Sequence, residues 1–340
     1  MSNNILYFIV GHKWMTLGVA ALSILAPTSY LLSDFHHPPP KNIYTLPPVQ
    51  SAPESNTPRA TMTEEVYLFT SFRSEGDGLH FADSENGLYW TDLKQVYLAP
   101  RVGGQKLRDP YILHGPDGVY HMVWTTSYND YGIGYANSRD LVNWSEQRFL
   151  PVMASVPGTT NCWAPEIYYN QKTSEYVITW SSATSIGSGS GKYDRIYYST
   201  TRDFLNFSSP MILFDAGQET IDATIIEHNG RYYMAHSGPD GIKLAQSFSL
   251  VGPYASMNVT VAPSSSRTLL GSTFAKVGDE YILYYIENNS GRCKARKTRD
   301  FSSWTDCTNE IQPVSGQTQG VVLKAPRSVV ERLVSAAQYN

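Results

Sequence analysis

The sequence predicts an all-β domain, a five-bladed β-propeller whose ring is closed by strands from both ends of the domain. Three observations predict it. Four segments share one opening pattern: "LRDPYILHGPDGVYHMVWTT", "CWAPEIYYNQKTSEYVITWSS", "TIDATIIEHNGRYYMAHSG" and "LLGSTFAKVGDEYILYYIE". Each reads as a short apolar strand, a polar turn and a second strand rich in Tyr, Val, Ile and Trp. Each is followed by a second half, "IGYANSRDLVNWSEQ", "IYYSTTRDFLNFSSP", "IKLAQSFSLVGPYA" and "CKARKTRDFSSWTDC", so that four strands recur every roughly 50–60 residues, the period of propeller blades. The third observation is a split unit. "VYLFTSF" and the second half "LHFADSENGLYWTDL" precede the repeats, and the lone strand "GVVLKAP", from Gly320, follows them. Joining these fragments makes a fifth blade and removes the open edges a broken ring would leave. A β-sandwich is the alternative, and it leaves the repeat unexplained.

The elements follow in chain order. Residues 1–32 read as a signal-anchor or a signal peptide. The run "WMTLGVAALSILAPTSYLL", Trp14 to Leu32, carries no charge and is about long enough to span a bilayer. Pro27 interrupts it, which keeps the cleaved signal open. Either form directs the chain into the secretory pathway, as a secreted or single-pass membrane-anchored protein. Residues 33–62 hold "HHPPPK", "LPPVQ" and "TPRA" and read as an extended linker, with His36 and His37 as solvated residues rather than metal ligands. The propeller takes residues 63–340. Its tail "RSVVERLVSAAQ" has Val329, Val330, Leu333 and Val334 at helical spacing and predicts a short packing helix.

Composition narrows the function. The net charge of −4 lacks the basic excess of a nucleic-acid-binding surface. No P-loop, dinucleotide fingerprint or HExxH motif is present, so neither a cofactor nor a metal is expected. Of the three cysteines, Cys293 and Cys307 fall in one predicted hairpin and are expected to form a disulfide. Cys162 is left over as a buried small residue. Sequons at Asn143, Asn206, Asn258 and Asn288 permit a glycoprotein without requiring one. The domain is expected to be a monomer.

In a propeller the first strand of every blade lines the central pocket. Aligning the repeats puts Asp109, Ala164, Asp222 and Gly271 in register, and Glu166 lies two residues beyond Ala164 on the same strand face. Three carboxylates therefore converge on one axis, where they raise one another's pKa. The other explanation for a lone Asp at a strand start is a turn cap or an arginine partner, and Arg108 adjoins Asp109.

"LRDPYI", "NCWAPEIYY", "TIDATII" and the "SRDLVNW" type of blade ending resemble glycoside hydrolase family 43, in the five-bladed arabinanase/β-fructosidase superfamily. The resemblance spans Val66 to Val334. It implies that Asp109 takes the place of the general base and Asp222 that of the carboxylate orienting the acid. Glu166, with Trp163 beside it, takes a substrate-binding place, and Tyr111 faces the same pocket. The chain departs from the family at the acid itself. The family pattern has a Glu before Gly-Pro-Thr, and here Leu270 precedes Gly271-Ser272-Thr273. Leu cannot protonate a leaving oxygen. Gln319 stands where such relatives often carry a His holding a central ion or water. Glu287 and His236 are the candidates for a relocated acid, and both also suit ordinary surface or second-strand roles. Three readings follow: a repurposed small-molecule pocket suited to a cyclisation or cycloaddition, a hydrolase of arabinosides or xylosides with a relocated acid, and a non-catalytic glycan-binding propeller. The expected partner is accordingly a small-molecule or glycan ligand, with Leu270 on the pocket wall favouring an apolar one.

Overall fold

The computed structural model describes residues 64–73, 78–184, 192–264 and 269–338. The expected anchor and linker lie outside these residues. Among the described residues no helix is long and apolar enough to cross a membrane.

Five four-stranded antiparallel sheets form the blades. Blade 1 joins β1 (Glu65–Ser71), β2 (His80–Ser84) and β3 (Thr91–Asp92) to β20 (Val322–Pro326) from the far end of the chain. The closure is antiparallel, from Glu65 opposite Pro326 to Phe69 opposite Val322, as the split repeat predicted. Blade 2 contains β4 (Arg108–His114), β5 (Tyr120–Thr125), β6 (Ile133–Ser138) and β7 (Arg148–Leu150). Blade 3 contains β8 (Trp163–Asn170), β9 (Glu175–Ala183), β10 (Asp194–Thr201) and β11 (Met211–Phe214). Blade 4 contains β12 (Ile221–His228), β13 (Arg231–Gly238), β14 (Gly241–Ser247) and β15 (Ala255–Pro263). Blade 5 contains β16 (Leu269–Val277), β17 (Glu280–Glu287), β18 (Arg292–Thr298) and β19 (Thr305–Asp306).

The second strands are buried along most of their length because each blade is covered on both faces. In β17, Ile282, Tyr284 and Ile286 pack with Tyr67 and Phe69 of blade 1. The alternating Tyr281, Leu283 and Tyr285 pack with Ala235, Ile242 and Leu244 of blade 4. In β5, Met122 and Trp124 turn toward blade 1, and Val123 toward blade 3. The helix α1 (Arg327–Gln338) buries Val329, Val330 and Leu333 against the cluster that holds Leu68, Phe81 and Trp124. Val334 stays at the surface. The Tyr97 hydroxyl donates to the Leu333 carbonyl at 3.0 Å and pins the helix down.

The Trp124 indole lies flat over Gly134, its cross-strand partner. A Cβ on Gly134 would sit 2.0 Å from Trp124 Cε2, and the ring has no space to retreat because it is fully buried. Gly134→Ala is expected to destabilise the domain by about 3 kcal/mol through overpacking. Denaturant unfolding monitored by tryptophan fluorescence measures this, and a change near zero would show that the indole can move.

The "SRDLVNW" endings have a physical basis. In blades 2, 3 and 5 the turn after the third strand places an apolar residue in the left-handed region: Leu141 (φ 63°), Phe204 (φ 55°) and Phe301 (φ 60°). Ser138, Thr201 and Thr298 each accept the amide of that residue on a side-chain hydroxyl, at 2.9–3.0 Å. Asp140, Asp203 and Asp300 each accept the next two amides. These bonds hold the Asp203 carboxyl down at about 2. The buried apolar residue then plugs a blade interface. Phe204 stacks on His121 at 4.4 Å and Phe301 on Tyr233 at 4.1 Å. The Asn143 and Asn206 side chains donate to Asp140 and Asp203 at 2.8 and 2.9 Å, so two of the sequons coincide with turn-forming asparagines.

The expected disulfide is corrected: Cys293 and Cys307 are free buried thiols, as is Cys162. The Cys307 amide donates to the Ala295 carbonyl at 3.1 Å, which sets Cys307 opposite Ala295 and a diagonal step from Cys293. Diagonal neighbours lie about 7–8 Å apart, beyond the usual reach of a disulfide. Burial pushes the Cys293 thiol up to about 12 and the Cys307 thiol up to about 11, leaving both poor nucleophiles.

Candidate functional site

The four register positions share one backbone feature. Asp109 (φ 52°), Ala164 (φ 45°), Asp222 (φ 52°) and Gly271 (φ 62°) all adopt the left-handed conformation. In each first strand the pairing register shifts there, between Arg108 and Tyr111, Trp163 and Glu166, Ile221 and Thr224, and Leu270 and Thr273. A bulge re-aims a side chain out of the pleat. Its repetition around the ring brings Asp109 and Asp222 to one cavity of about 140 Å³, lined also by Arg108, Thr125, Tyr128, Trp163, Ile221, Leu270 and Gln319.

Second-strand hydroxyls hold these bulges in place. Thr125 Oγ1 donates to Asp109 Oδ2 at 2.8 Å and accepts the Ala164 amide of the next blade at 2.8 Å. Ser181 Oγ accepts the Asp222 amide at 3.1 Å. Both occupy the place, opposite the residue before the bulge, that Ser237 occupies in blade 4. The Ser237 hydroxyl is buried and has no partner among the described residues. Sequence reasoning missed Thr125 and Ser181. Their signal is the hydroxyl residue that ends each second-strand repeat, in "VWTT", "TWSS" and "AHSG".

Asp222 Oδ2 accepts the Gly271 amide at 2.9 Å. The Gln319 side chain lies between Asp222, 3.5 Å away, and Asp109, with which it is in hydrogen-bond contact. Burial raises both carboxyls. The charge of Asp109 adds to the effect on Asp222, which reaches about 7, while Arg108 draws both back. Glu166 sits deeper, on a floor of about 20 Å³ shared with Asp109, Tyr111, Asp222 and Gln319. Burial raises the Glu166 carboxyl well above the usual range. The Tyr168 hydroxyl donates to Glu166 and accepts the Ile225 amide at 2.7 Å, so Tyr168 ties blade 3 to blade 4 and holds Glu166. The Tyr111 ring lies 5.7 Å from that of Tyr168. Burial also raises the Tyr111 hydroxyl, which keeps it a neutral floor residue near neutral pH.

The mouth carries Trp163, whose Nε1 donates to the Tyr128 carbonyl at 2.9 Å, and Arg108, whose Nη1 donates to the Tyr128 hydroxyl at 2.8 Å. The guanidinium lies 5.1 Å from the ring centres of both Phe72 and Tyr128. Leu270 and Ile221 supply an aliphatic wall.

Neither relocated-acid candidate lines the cavity. Glu287 pairs with Lys294 at 2.6 Å and with Ser290, which holds its carboxyl below the usual range. His236 is buried in β13 with its ring 5.0 Å from that of Phe214. Burial lowers its imidazole to about 4, which leaves it neutral at physiological pH.

The raised Asp222 carboxyl makes stability depend on pH. The native state holds this proton more tightly than the unfolded chain, so its contribution is full below the unfolded carboxylate value and is lost as pH rises through about 7. His236 has the opposite sign, and its contribution grows as pH rises from about 4 toward the ordinary imidazole value. Asp222→Asn removes the first effect alone. It is expected to be about 2–4 kcal/mol more stable than the parent above pH 7, with the difference shrinking toward pH 4. Thermal melts of both proteins across that range measure it, and a pH-independent difference would contradict the assignment.

Comparison with known proteins agrees with this architecture. Residues 63–325 match a family described as a probable glycosyl hydrolase domain. An α-L-arabinofuranosidase of Bifidobacterium longum subsp. longum is 24% identical over 201 residues, 49% of this chain and 19% of that relative, so the chain spans a small part of its length. A crystal structure of a thermostable family-43 glycoside hydrolase superposes with a TM-score of 0.50 and 19% identity, covering 62% of this chain and 73% of that one. An endo-1,4-β-xylanase from Bacteroides thetaiotaomicron gives a TM-score of 0.53 at 10% identity, over 76% of this chain and 94% of that one. At these identities the structural likenesses establish the fold, and the match over residues 63–325 establishes the lineage. The chain belongs to the probable glycosyl hydrolase family related to glycoside hydrolase family 43.

Proposed function

We propose that the central cavity no longer performs ordinary two-carboxylate glycoside hydrolysis and instead holds a small ligand with an apolar face. One observation carries the reading: Leu270, at the position where the resemblance would put the acid, lines the cavity beside Ile221 and Trp163. An aliphatic wall gains contact area from an apolar ligand and nothing from sugar hydroxyls. Such a wall, facing a rigid set of polar groups, suits holding a flexible intermediate in one conformation for ring closure, a reaction that needs no leaving-group proton. The test is turnover of methyl α-L-arabinofuranoside, whose leaving group requires protonation. The expected result is none. Turnover by the wild type that Asp109→Asn abolishes would overturn the reading.

A second reading has an observation of its own. The Asp222 carboxyl, pushed up to about 7, retains its proton under mildly acidic conditions and is suited to protonating a leaving oxygen while Asp109 serves as base. The chain is then an arabinoside-type hydrolase, in keeping with its arabinofuranosidase relative. Its rate is expected to fall as pH rises through about 7, and Asp222→Asn is expected to abolish it.

A further inference from the structure

In blades 2 and 3 a hydroxyl at the end of the second strand takes the amide of the next blade's left-handed residue. Thr125 Oγ1 accepts from Ala164, and Ser181 Oγ accepts from Asp222. Ser237 holds the same place in blade 4, opposite Ile221. The amide that corresponds there is that of Gly271, and it donates instead to Asp222 Oδ2 at 2.9 Å. Asp222 has thus taken over the structural task that falls to a hydroxyl in the two preceding blades. Ser237 is 2% exposed, and its hydroxyl has no partner among the described residues. A buried hydroxyl left in that condition destabilises the state that holds it, so a group that bonds it gains correspondingly.

Ser237 borders a recess of about 10 Å³ with Glu219, Ile221, Gly238, Leu269 and Leu270. Ile221 and Leu270 also form the aliphatic wall of the central cavity, so the two spaces share that wall. A volume of about 10 Å³ takes one water-sized group. The cavity itself, at about 140 Å³, is close to the ~150 Å³ that accommodates a single benzene-sized ring.

We propose that Ser237 is a specificity-determining residue of the cavity. It bonds one uncharged hydroxyl on the edge of a ligand whose apolar ring lies against Leu270 and Ile221, the hydroxyl entering the recess between these two side chains. The proposal rests on the apolar-ligand reading above and names the polar group that accompanies the apolar face. An alcohol suits Ser237 because each hydroxyl can give or take the hydrogen bond. A carboxylate exceeds the recess and meets Glu219 on its lining. Asp109 and Asp222 also disfavour an anionic ligand in the cavity. Arg108, the one cation of that lining, is engaged with the Tyr128 hydroxyl and with the Phe72 and Tyr128 rings.

The test uses phenol and toluene, which share size and shape and differ in the hydroxyl. Methyl NMR of the wild-type protein is expected to place both rings against the Leu270 and Ile221 methyl groups. Only phenol is expected to shift the Ser237 and Gly238 amides. Ser237→Ala is expected to weaken phenol binding by about 3–10-fold, the loss of one neutral hydrogen bond, and to leave toluene binding unchanged. The melting temperature of the ligand-free variant is expected to hold or rise, because the substitution removes no bond of the fold. An equal effect of Ser237→Ala on both probes, or none on either, would overturn the proposal and leave the apolar reading standing. Ser237 then serves the fold alone, turning to Asp222 as Thr125 does to Asp109. A wild type that binds neither probe would overturn both. If the variant does not fold, the wild-type amide shifts decide: equal shifts from the two probes, or none from phenol, overturn the proposal.

Discussion

On the reading that the cavity has lost its general acid, Leu270→Glu is expected to raise turnover of aryl arabinofuranosides with poor leaving groups above that of the wild type. The position is already prepared. Residue 270 precedes Gly271, whose amide binds Asp222 Oδ2, so a Glu there stands beside the carboxylate that would orient it. Leu270 also shares a small recess with Ser237, whose buried hydroxyl has no partner among the described residues. A carboxyl placed in that recess acquires a hydrogen-bond partner without any other change. Burial and the neighbouring Asp222 raise the pKa of the new acid, which keeps it protonated near neutral pH. A positioned general acid contributes about 10²–10⁴-fold, and it acts only where the leaving oxygen needs a proton. The gain is therefore expected with phenyl α-L-arabinofuranoside and to be small with the 2,4-dinitrophenyl glycoside, whose phenolate departs unaided. An equal gain on both would mean that the Glu works by some route other than proton donation. No gain from a folded variant would mean that the cavity does not hold a sugar in position for the new acid.

The blades were legible because their cause is local. Second strands covered on both faces must be buried along most of their length, and the apolar residues that dominate "HMVWTT" and "YILYYIE" carry that demand in plain form. The turn endings were legible for a similar reason. A left-handed Leu141, Phe204 or Phe301 needs a hydroxyl and a carboxylate at fixed offsets to take up its free amides, and this repeats as a motif. The split blade followed from counting halves, since β20 has no first-half partner near it in the chain.

The site was legible in position more than in mechanism of assembly. Register alignment found Asp109, Ala164, Asp222 and Gly271, yet no residue preference marks Ala164 as left-handed. The bulges come from ring closure and from hydroxyls on the neighbouring blade, and such contacts have no fixed sequence offset. The disulfide failed for a related reason. A hairpin places two strands side by side, and the Cys307 amide's bond to the Ala295 carbonyl sets the register one diagonal step from a disulfide. Glu287 and His236 show the limit for side-chain direction. Both lie on second strands close in sequence to the site, and their partners Lys294 and Phe214 occupy them elsewhere. Gln319 read as a substituted residue, and its contact with both carboxylates emerges only when the last strand closes the ring.

Gly271→Ala is expected to cause a large and divisible loss of stability. The backbone there is left-handed, at φ 62°, a conformation that disfavours any side chain by about 1–2 kcal/mol. The new Cβ would fall 1.9 Å from Gln319 Cγ and 2.6 Å from Cδ, in a buried setting where overpacking costs about 1–3 kcal/mol. Together these give about 2–5 kcal/mol, a fall in melting temperature on the order of 10 °C for a domain of this size. The two parts separate in a double-mutant cycle. Gln319→Ala removes Cγ and Cδ, the atoms that clash most, so Gly271→Ala made in that background retains the backbone strain and the 2.7 Å approach to Cβ. The coupling between the two substitutions is therefore expected to be favourable by about 1–3 kcal/mol. A third reading comes from pH. If the new methyl group pushes Gln319 off the carboxylates, the acid-side stabilisation assigned to Asp222 changes along with the melting temperature. If the alanine is instead absorbed by a small shift of β16, the loss stays near about 1–2 kcal/mol and the pH profile keeps its wild-type shape. A Gly271→Ala protein within about 0.5 kcal/mol of the parent would show that neither the left-handed backbone nor the contact with Gln319 is needed to hold the site together.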